Sequence, residues 1–291
     1  MFLHPLCNYI KSGKGKRIRP ILFFLSQRLV GHSDTNTIVI PVFLEMLHTA
    51  TLIHDDVVDK AVKRRARKTM SVIWGDKTAV LFGDYLFAKA LELGISTKNF
   101  KILELITELV RKMSEGELRQ VFKSHEIKKD IYYNIIKDKT AILFRASCML
   151  AGLSQSGNEK DIMNLGRFGE LFGMGYQIKD DILDIAGKSE FLGKTVGQDL
   201  SDGKFTLPFI MVYNKASFKE RKYLHRLISD SSAENLGIVY DYIKKYQGVK
   251  LAERELKIIN SEAGKILKSF NVSRHRELLG KLLEYNYLRK R

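Results

Sequence analysis

The stretch His48-Thr49-Ala50-Thr51-Leu52-Ile53-His54-Asp55-Asp56-Val57-Val58-Asp59 runs from apolar residues into three carboxylates. On a helix, Asp55 and Asp59 stand at i and i+4 and share a face. Like charges at that spacing repel and cost a helix about 0.2–0.5 kcal/mol. Such a pair at the end of a buried helix calls for a cation. Oxygen-only ligands with incomplete enclosure suit Mg²⁺, which keeps water and accepts phosphate oxygens as its remaining ligands. Taken alone, the group also reads as a solvated acidic helix end.

The pattern recurs. Gln177-Ile178-Lys179-Asp180-Asp181-Ile182-Leu183-Asp184 again follows an apolar segment, Phe168 to Tyr176, and again spaces two aspartates, two apolar residues and an aspartate. Two such clusters facing each other would form a walled anionic site able to hold several Mg²⁺ ions around a diphosphate.

Around these clusters the chain reads as helix. Ile102, Leu103, Ile106, Leu109, Val110 and Met113 mark one apolar helical face, and Leu278, Leu279, Leu282, Leu283 and Leu288 mark another. Period-two alternation is scarce, so strands are not needed. With 291 residues, 45% hydrophobic and only 4 prolines, the chain has the apolar content for a sizeable core and few helix breakers. Short breakers at Gly13–Gly15, Gly31–Asp34, Gly75–Asp76, Gly94–Thr97, Ser154–Asn158, Gly187–Gly203 and Ser229–Ser232 divide it into helices of ordinary length. No linker separates two halves, and the expectation is one all-α domain over residues 1–291. The 2 cysteines, Cys7 and Cys148, make no disulfide framework and point to a reducing cytoplasm. The apolar region from Ile38 to Ile53 contains Pro41, Glu45 and His48 and reads as a buried helix rather than a membrane span.

The formal charge is +16, from 49 Lys and Arg against 33 Asp and Glu. That field favours anionic partners: phosphorylated small molecules, anionic lipid or nucleic acid. The basic residues form turn-flanked groups: Gly15-Lys16-Arg17-Ile18-Arg19-Pro20, Lys63-Arg64-Arg65-Ala66-Arg67-Lys68 just after the first acidic cluster, Lys139-Thr140, and then Gly193-Lys194-Thr195 and Gly203-Lys204 after the second. Guanidinium and ammonium groups so placed suit diphosphate positioning.

GKRIRP, HTATLIHDDVVD, GDYLFA, EGEL, KT, GYQIKDDILD and GKTVGQDLSDGKFTLP occur here in the order and approximate spacing of the trans-isoprenyl diphosphate synthase, or polyprenyl synthetase, family. The resemblance runs from about Gly13 to Pro208; after Phe209 no motif is usable. It implies a single large helical bundle of isoprenoid synthase type around a central active-site cavity. It also implies an enzyme that ionises an allylic prenyl diphosphate, farnesyl diphosphate by preference, and joins it to isopentenyl diphosphate with loss of a proton. Asp55, Asp56, Asp59, Asp180, Asp181 and Asp184 match its Mg²⁺-binding aspartates. Lys16, Arg19 and His48 match its isopentenyl diphosphate pocket, Arg64 the arginine on the allylic diphosphate, and Arg65 a second on isopentenyl diphosphate. Lys139, Lys194 and Lys204 match lysines on the leaving group. Thr140 and Gln177 match groups whose oxygens face the allylic cation. His54 is read as structural. Ala66 stands where the family has glycine, and Phe205 where it commonly has proline.

Product length is expected from the helix before the first aspartates. Ala50 lies five residues before Asp55, about 7.5 Å along a helix. Short-chain relatives put an aromatic floor at or beside that level. Here Ala50 and Thr51 are small, which leaves Leu47, Phe43 and Phe144 as deeper candidates and implies a long-chain product, hexaprenyl to decaprenyl, for a quinone side chain; a farnesyl or geranylgeranyl product is the alternative. The resemblance also implies a homodimer. The basic surface suggests peripheral contact with the inner face of the membrane. The rival from another class is a basic, helical nucleic-acid-binding protein, which needs no paired buried carboxylates; no nucleic-acid partner is expected.

Overall fold

The computed structural model describes residues 3–13, 15–31, 35–123, 126–155, 157–186, 200, 203–229 and 232–290. Its long elements are helices: α1 (His4–Lys11), α2 (Ile18–Val30), α3 (Val39–Val58), α4 (Met70–Trp74), α5 (Asp76–Ser96), α6 (Phe100–Lys123), α7 (Lys129–Ile136), α8 (Ile142–Ser154), α9 (Glu159–Ala186), α10 (Leu207–Lys215), α11 (Phe218–Ser229), α12 (Ala233–Lys245), α13 (Gly248–Lys268) and α14 (Arg274–Leu288). The fold is all-α, as the periodicity requires. All 4 prolines fall in the first turn of a helix, Pro5 in α1, Pro20 in α2, Pro41 in α3 and Pro208 in α10, where a missing N–H breaks no intrahelical bond.

β-structure among the described residues is confined to β1 (Lys63–Arg64) and β2 (Arg67–Lys68), a two-residue antiparallel pair with Arg64 opposite Arg67. The period-two test misses it because it is too short to alternate. Its loop residues, Arg65 and Ala66, both have positive φ, 51° and 61°. That is the conformation a two-residue hairpin favours and that a residue with a Cβ adopts at a cost.

The chain divides into two compact units, residues 1–108 with 146–163, and residues 109–145 with 164–291. In the first, α3 packs along α5, with α2 and α4 also against α3. Leu6, Ala50, Ile53, Met70, Ala79, Phe82 and Leu86 form one buried cluster there. In the second, α13 packs on α10 and α14, and Phe209, Val212, Leu224, Leu227, Val239 and Ile243 form a buried core. A separate aromatic set in that unit joins the start of α8 to α9: Phe144 lies 5.5 Å from Phe172 and 5.4 Å from Tyr176, centroid to centroid.

Between α7 and α8 the backbone leaves α-helical geometry for one π-helical stretch, Lys137–Ala141. Two glycines give it room. A Cβ on Gly116 of α6 would lie 2.8 Å from the Lys139 nitrogen, and one on Gly173 of α9 would lie 2.6 Å from Ala141 Cα. Gly264 of α13 has nothing within 4 Å of such a Cβ. Exchanging Gly for Ala gains about 1 kcal/mol of helix propensity, whereas forcing a methyl into packed backbone costs about 1–3 kcal/mol. Urea unfolding should therefore show Gly264→Ala as stabilising and Gly173→Ala as destabilising; a stabilised Gly173→Ala protein would contradict the close contact.

Candidate functional site

In the first unit, α3 carries Asp55 and Asp56, and Asp59 caps its C-terminus, with its N–H donating to the Asp55 carbonyl at 2.8 Å. The i,i+4 relation of Asp55 and Asp59 thus survives just past the helix end. Asp56 is different. Its side chain is buried, and its Oδ1 accepts from Arg64 Nε at 2.6 Å. The Arg64 guanidinium, matched by resemblance to the allylic diphosphate, is here bonded to the middle aspartate. His54 lies against Gly83 of α5, where a Cβ would come within 2.2 Å of its Nε2. Its Nε2 is 3.1 Å from the Val80 carbonyl, which fixes the Nε2–H tautomer for that bond. His54 is a packing residue.

The basic groups of this unit meet at His48. Burial first, and then Arg19, Arg65, Arg64 and Arg17, hold its imidazole well below the ordinary value of 6.5. His48 as a whole is half-buried, and desolvation with these guanidiniums around it favours the neutral imidazole. Arg17 takes a left-handed backbone, φ 51°, before α2 and pairs with Glu45 at 2.6 Å. Arg67 secures the hairpin to α1: it lies 4.6 Å above the Tyr9 ring and donates to Ser12 Oγ at 3.0 Å. Lys16 and Arg65 are exposed, while Arg19 is half-buried. Ala50 and Leu47 are fully buried, Ala50 in the cluster with Met70, Ala79 and Phe82, and Phe43 is fully buried too. Thr51 is half-buried and its hydroxyl donates to the His48 carbonyl at 2.9 Å.

In the second unit, the π-turn presents Lys139 and Thr140. Lys139 Nζ lies 2.5 Å from Glu117 Oε2 of α6, and Arg119 on the same helix pairs with Asp138. The segment EGEL is thereby accounted for: its glycine admits the turn and its second glutamate holds the lysine. From α9, Gln177 accepts the Thr140 hydroxyl on Oε1 at 3.0 Å and donates from Nε2 to Asp181 Oδ1 at 2.8 Å. Tyr132 of α7 donates to Asp181 Oδ2 at 2.5 Å. Asp181 is 2% exposed. Tyr132, Lys139, Thr140, Gln177 and Asp181, with Lys204 and Phe205, line a cavity of about 180 Å³. Lys194 and the rest of the segment at 187–199 lie outside the described residues. Phe144 is buried in the aromatic set behind Gly173.

Asp180 has a partner that sequence reading missed. Arg289, after α14, is buried, with its side chain 2% exposed. It donates to Asp180 Oδ1 at 2.6 Å, to the Tyr176 carbonyl at 2.6 Å and to Asn286 Oδ1 at 3.1 Å, and it lies 4.0 Å over the Tyr176 ring. A buried guanidinium needs such partners. The sequence signal, an arginine at the end of an amphipathic helix, is indistinguishable from any exposed basic tail. Among the described residues, no three carboxylate, imidazole or thiol groups converge closely enough to hold an ion alone. The donors are nonetheless hard carboxylate oxygens spaced for one face, a set that fits Mg²⁺ completed by water and phosphate.

His48 makes a pH prediction with a definite sign. Its folded value lies below its unfolded one, so the unfolded chain takes up the proton first as pH falls. The fold is unpenalised above about pH 6.5 and loses stability below it, by up to about 1.4 kcal/mol per pH unit. Urea midpoints at pH 7.5 and 5.5 should fall further for the native protein than for His48→Gln; equal losses would place the His48 proton equilibrium elsewhere.

The polyprenyl synthetase family model matches residues 2–245. The chain is 34% identical to octaprenyl diphosphate synthase of Escherichia coli (strain K12) over 236 residues, 80% of this chain and 73% of the relative. It is 32% identical to geranylgeranyl diphosphate synthase of Saccharolobus solfataricus, over 89% of this chain and 86% of that one. A polyprenyl synthase from Caulobacter crescentus CB15, solved with calcium and isoprenyl diphosphate, superposes with a TM-score of 0.90 at 31% identity, over 96% of this chain and 86% of that one. Family match, relatives aligned over most of their length and shared fold lead to one conclusion: the chain belongs to the polyprenyl synthetase family and is a trans-prenyltransferase.

Proposed function

We propose that this protein condenses isopentenyl diphosphate with an allylic prenyl diphosphate, farnesyl diphosphate by preference, and repeats the addition to a long all-trans chain. The observation that carries the reading is the convergence of Lys139, Thr140, Gln177 and Lys204, from separate sequence motifs, on one cavity. Cationic ammonium groups beside oxygen dipoles suit a reaction in which a diphosphate leaves and a carbocation forms.

Asp55, Asp59, Asp180 and Asp184 would hold Mg²⁺, Asp180 through the oxygen that Arg289 leaves; Asp56 has Arg64 as its protein donor, and Asp181 has one on each oxygen, Gln177 and Tyr132. Mg²⁺ bound there would supply Lewis-acid stabilisation of the departing diphosphate. Lys139, Lys194 and Lys204 would bind that leaving group. Arg64 would exchange Asp56 for the allylic diphosphate or share the two. Lys16, Arg19, Arg65 and neutral His48 would seat isopentenyl diphosphate. The oxygens of Thr140 and Gln177 would face the developing positive charge, where preorganised dipoles lower the barrier without reorganising. The proton lost at the end would pass to the released diphosphate, so no protein base is required.

Relatives include enzymes of short and long product, so length rests on this chain's own residues. Ala50 and Thr51 supply no aromatic floor, and Leu47, Phe43 or Phe144 would act deeper. A homodimer is part of the reading, supported by Val80, Leu81, Leu91 and Ile95, apolar residues exposed along α5. The excess positive charge would favour anionic lipid at the inner membrane face. No described helix is long and apolar enough to cross a membrane.

Asp55→Ala and Asp180→Ala should each lower kcat by about 10²-fold or more with helicity retained. Near-normal turnover in either variant at saturating Mg²⁺ would remove that aspartate from the reaction. Product length is tested by sizing products from farnesyl diphosphate, isopentenyl diphosphate and Mg²⁺. The native enzyme should give hexaprenyl to decaprenyl chains. Ala50→Tyr and Thr51→Phe should shorten them while the first additions survive. Because Ala50 is fully buried, circular dichroism must first show that the larger ring is accommodated. Unchanged long products from both folded variants would exclude this level of α3 from length control.

A further inference from the structure

The second aspartate of the motif on α9 has its carboxylate committed to protein. Asp181 is 2% exposed, its Oδ1 taken by Gln177 Nε2 at 2.8 Å and its Oδ2 by Tyr132 Oη at 2.5 Å. An ionised carboxylate only accepts hydrogen bonds, so the group Gln177 turns towards it must be the amide NH₂. That fixes the other end of the amide. Gln177 Oε1 points away from Asp181 and accepts from the Thr140 hydroxyl at 3.0 Å. With its proton spent on Gln177, Thr140 Oγ1 has only lone pairs left for other neighbours. Tyr132, Thr140, Gln177 and Asp181 all line the same cavity.

We propose that Asp181, steadied by Tyr132, is a positioning residue that locks the Gln177 amide and the Thr140 hydroxyl with their negative ends towards the cavity, rather than a metal ligand. The inference rests on the prenyl-transfer reading and deepens it. A carbocation next to this pair meets oxygen, never an N–H. Without the Asp181 carboxylate the amide is free to rotate, presenting NH₂ where positive charge develops. Tyr132 adds a second constraint: its bond to Oδ2 fixes the plane of the carboxylate, so that Oδ1 stays aimed at the Gln177 NH₂. The chain Tyr132–Asp181–Gln177–Thr140 thus converts one buried negative charge into a fixed dipole direction at the cavity wall.

Asp181→Asn keeps the shape and removes the acceptor-only constraint; Tyr132→Phe removes one hydroxyl. Three measurements on the full-length protein decide the matter: kcat and KM with farnesyl and isopentenyl diphosphates, prenol released by water capture, and Mn²⁺ affinity from electron paramagnetic resonance in the presence of inorganic diphosphate. Expected are a kcat loss of about tenfold or more for Asp181→Asn and about threefold or more for Tyr132→Phe. KM values should stay within about twofold, prenol should rise relative to condensed product, and Mn²⁺ affinity should stay within threefold of native. In a Gln177→Leu background, Asp181→Asn should add less than a twofold further loss, because both changes remove the same device. A threefold or greater loss of Mn²⁺ affinity in Asp181→Asn would make Asp181 a metal ligand and overturn the proposal. So would a kcat loss below threefold, or a full additional loss in the Gln177→Leu background. A native protein that forms no condensed product would sink the reaction itself, a different result from native turnover with unimpaired variants.

Discussion

The π-turn at Lys137–Ala141 is the constraint on which the second unit's chemistry depends. An α-helix cannot continue through it, and the turn needs two neighbours without a Cβ, Gly116 on α6 and Gly173 on α9. Because α6 comes this close, Glu117 and Arg119 reach Lys139 and Asp138. Because α9 comes this close one turn below Gln177, the Thr140 hydroxyl reaches the Gln177 amide. A single irregular turn between two glycines therefore sets the places of a lysine, a hydroxyl and an amide at once. π-turns inside helices often mark functional sites, since they aim side chains in directions a regular helix cannot.

The two aspartate clusters solve a common electrostatic problem with different parts. Three carboxylates within five positions cannot all remain ionised and unpaired without mutual repulsion. In each cluster the middle carboxylate, which is also the most buried, is given lasting protein partners. Asp56 takes Arg64, and Asp181 takes Tyr132 and Gln177. In the second cluster Asp180 is further held by Arg289. Burial requires this, because a desolvated carboxylate without a donor is costly. Asp59, just past the end of α3, is the exposed member of its cluster.

At His48 the same balance runs in the other direction. Arginines from α2 and from the hairpin crowd an imidazole that burial already disfavours charging, so the ring stays neutral and the positive potential is carried by guanidiniums. The hairpin turn that brings Arg65 into this set is strained at Ala66, whose φ is 61°. Strain held beside a site persists because surrounding contacts over-determine it, here the Arg67 contacts with Tyr9 and Ser12.

The sequence by itself determined the all-α class, the helical placement of both aspartate clusters and the family, because 3.6-residue periodicity and closely spaced motifs are local properties of a chain. It also placed the pair Lys139-Thr140 and Gln177 in separate motifs without the means to join them. Only the tertiary structure decided that Thr140 and Gln177 are hydrogen-bonded, that Gly116 and Gly173 exist to admit one turn, and that Asp56 and Asp181 are spoken for by Arg64, Tyr132 and Gln177. Arg289 is the sharpest case. In sequence it is one more basic residue after a helix; in the fold it is a buried cation 109 positions from the Asp180 it holds. No local pattern encodes that pairing, since burial and partner choice arise only when α9 and α14 are packed within one unit.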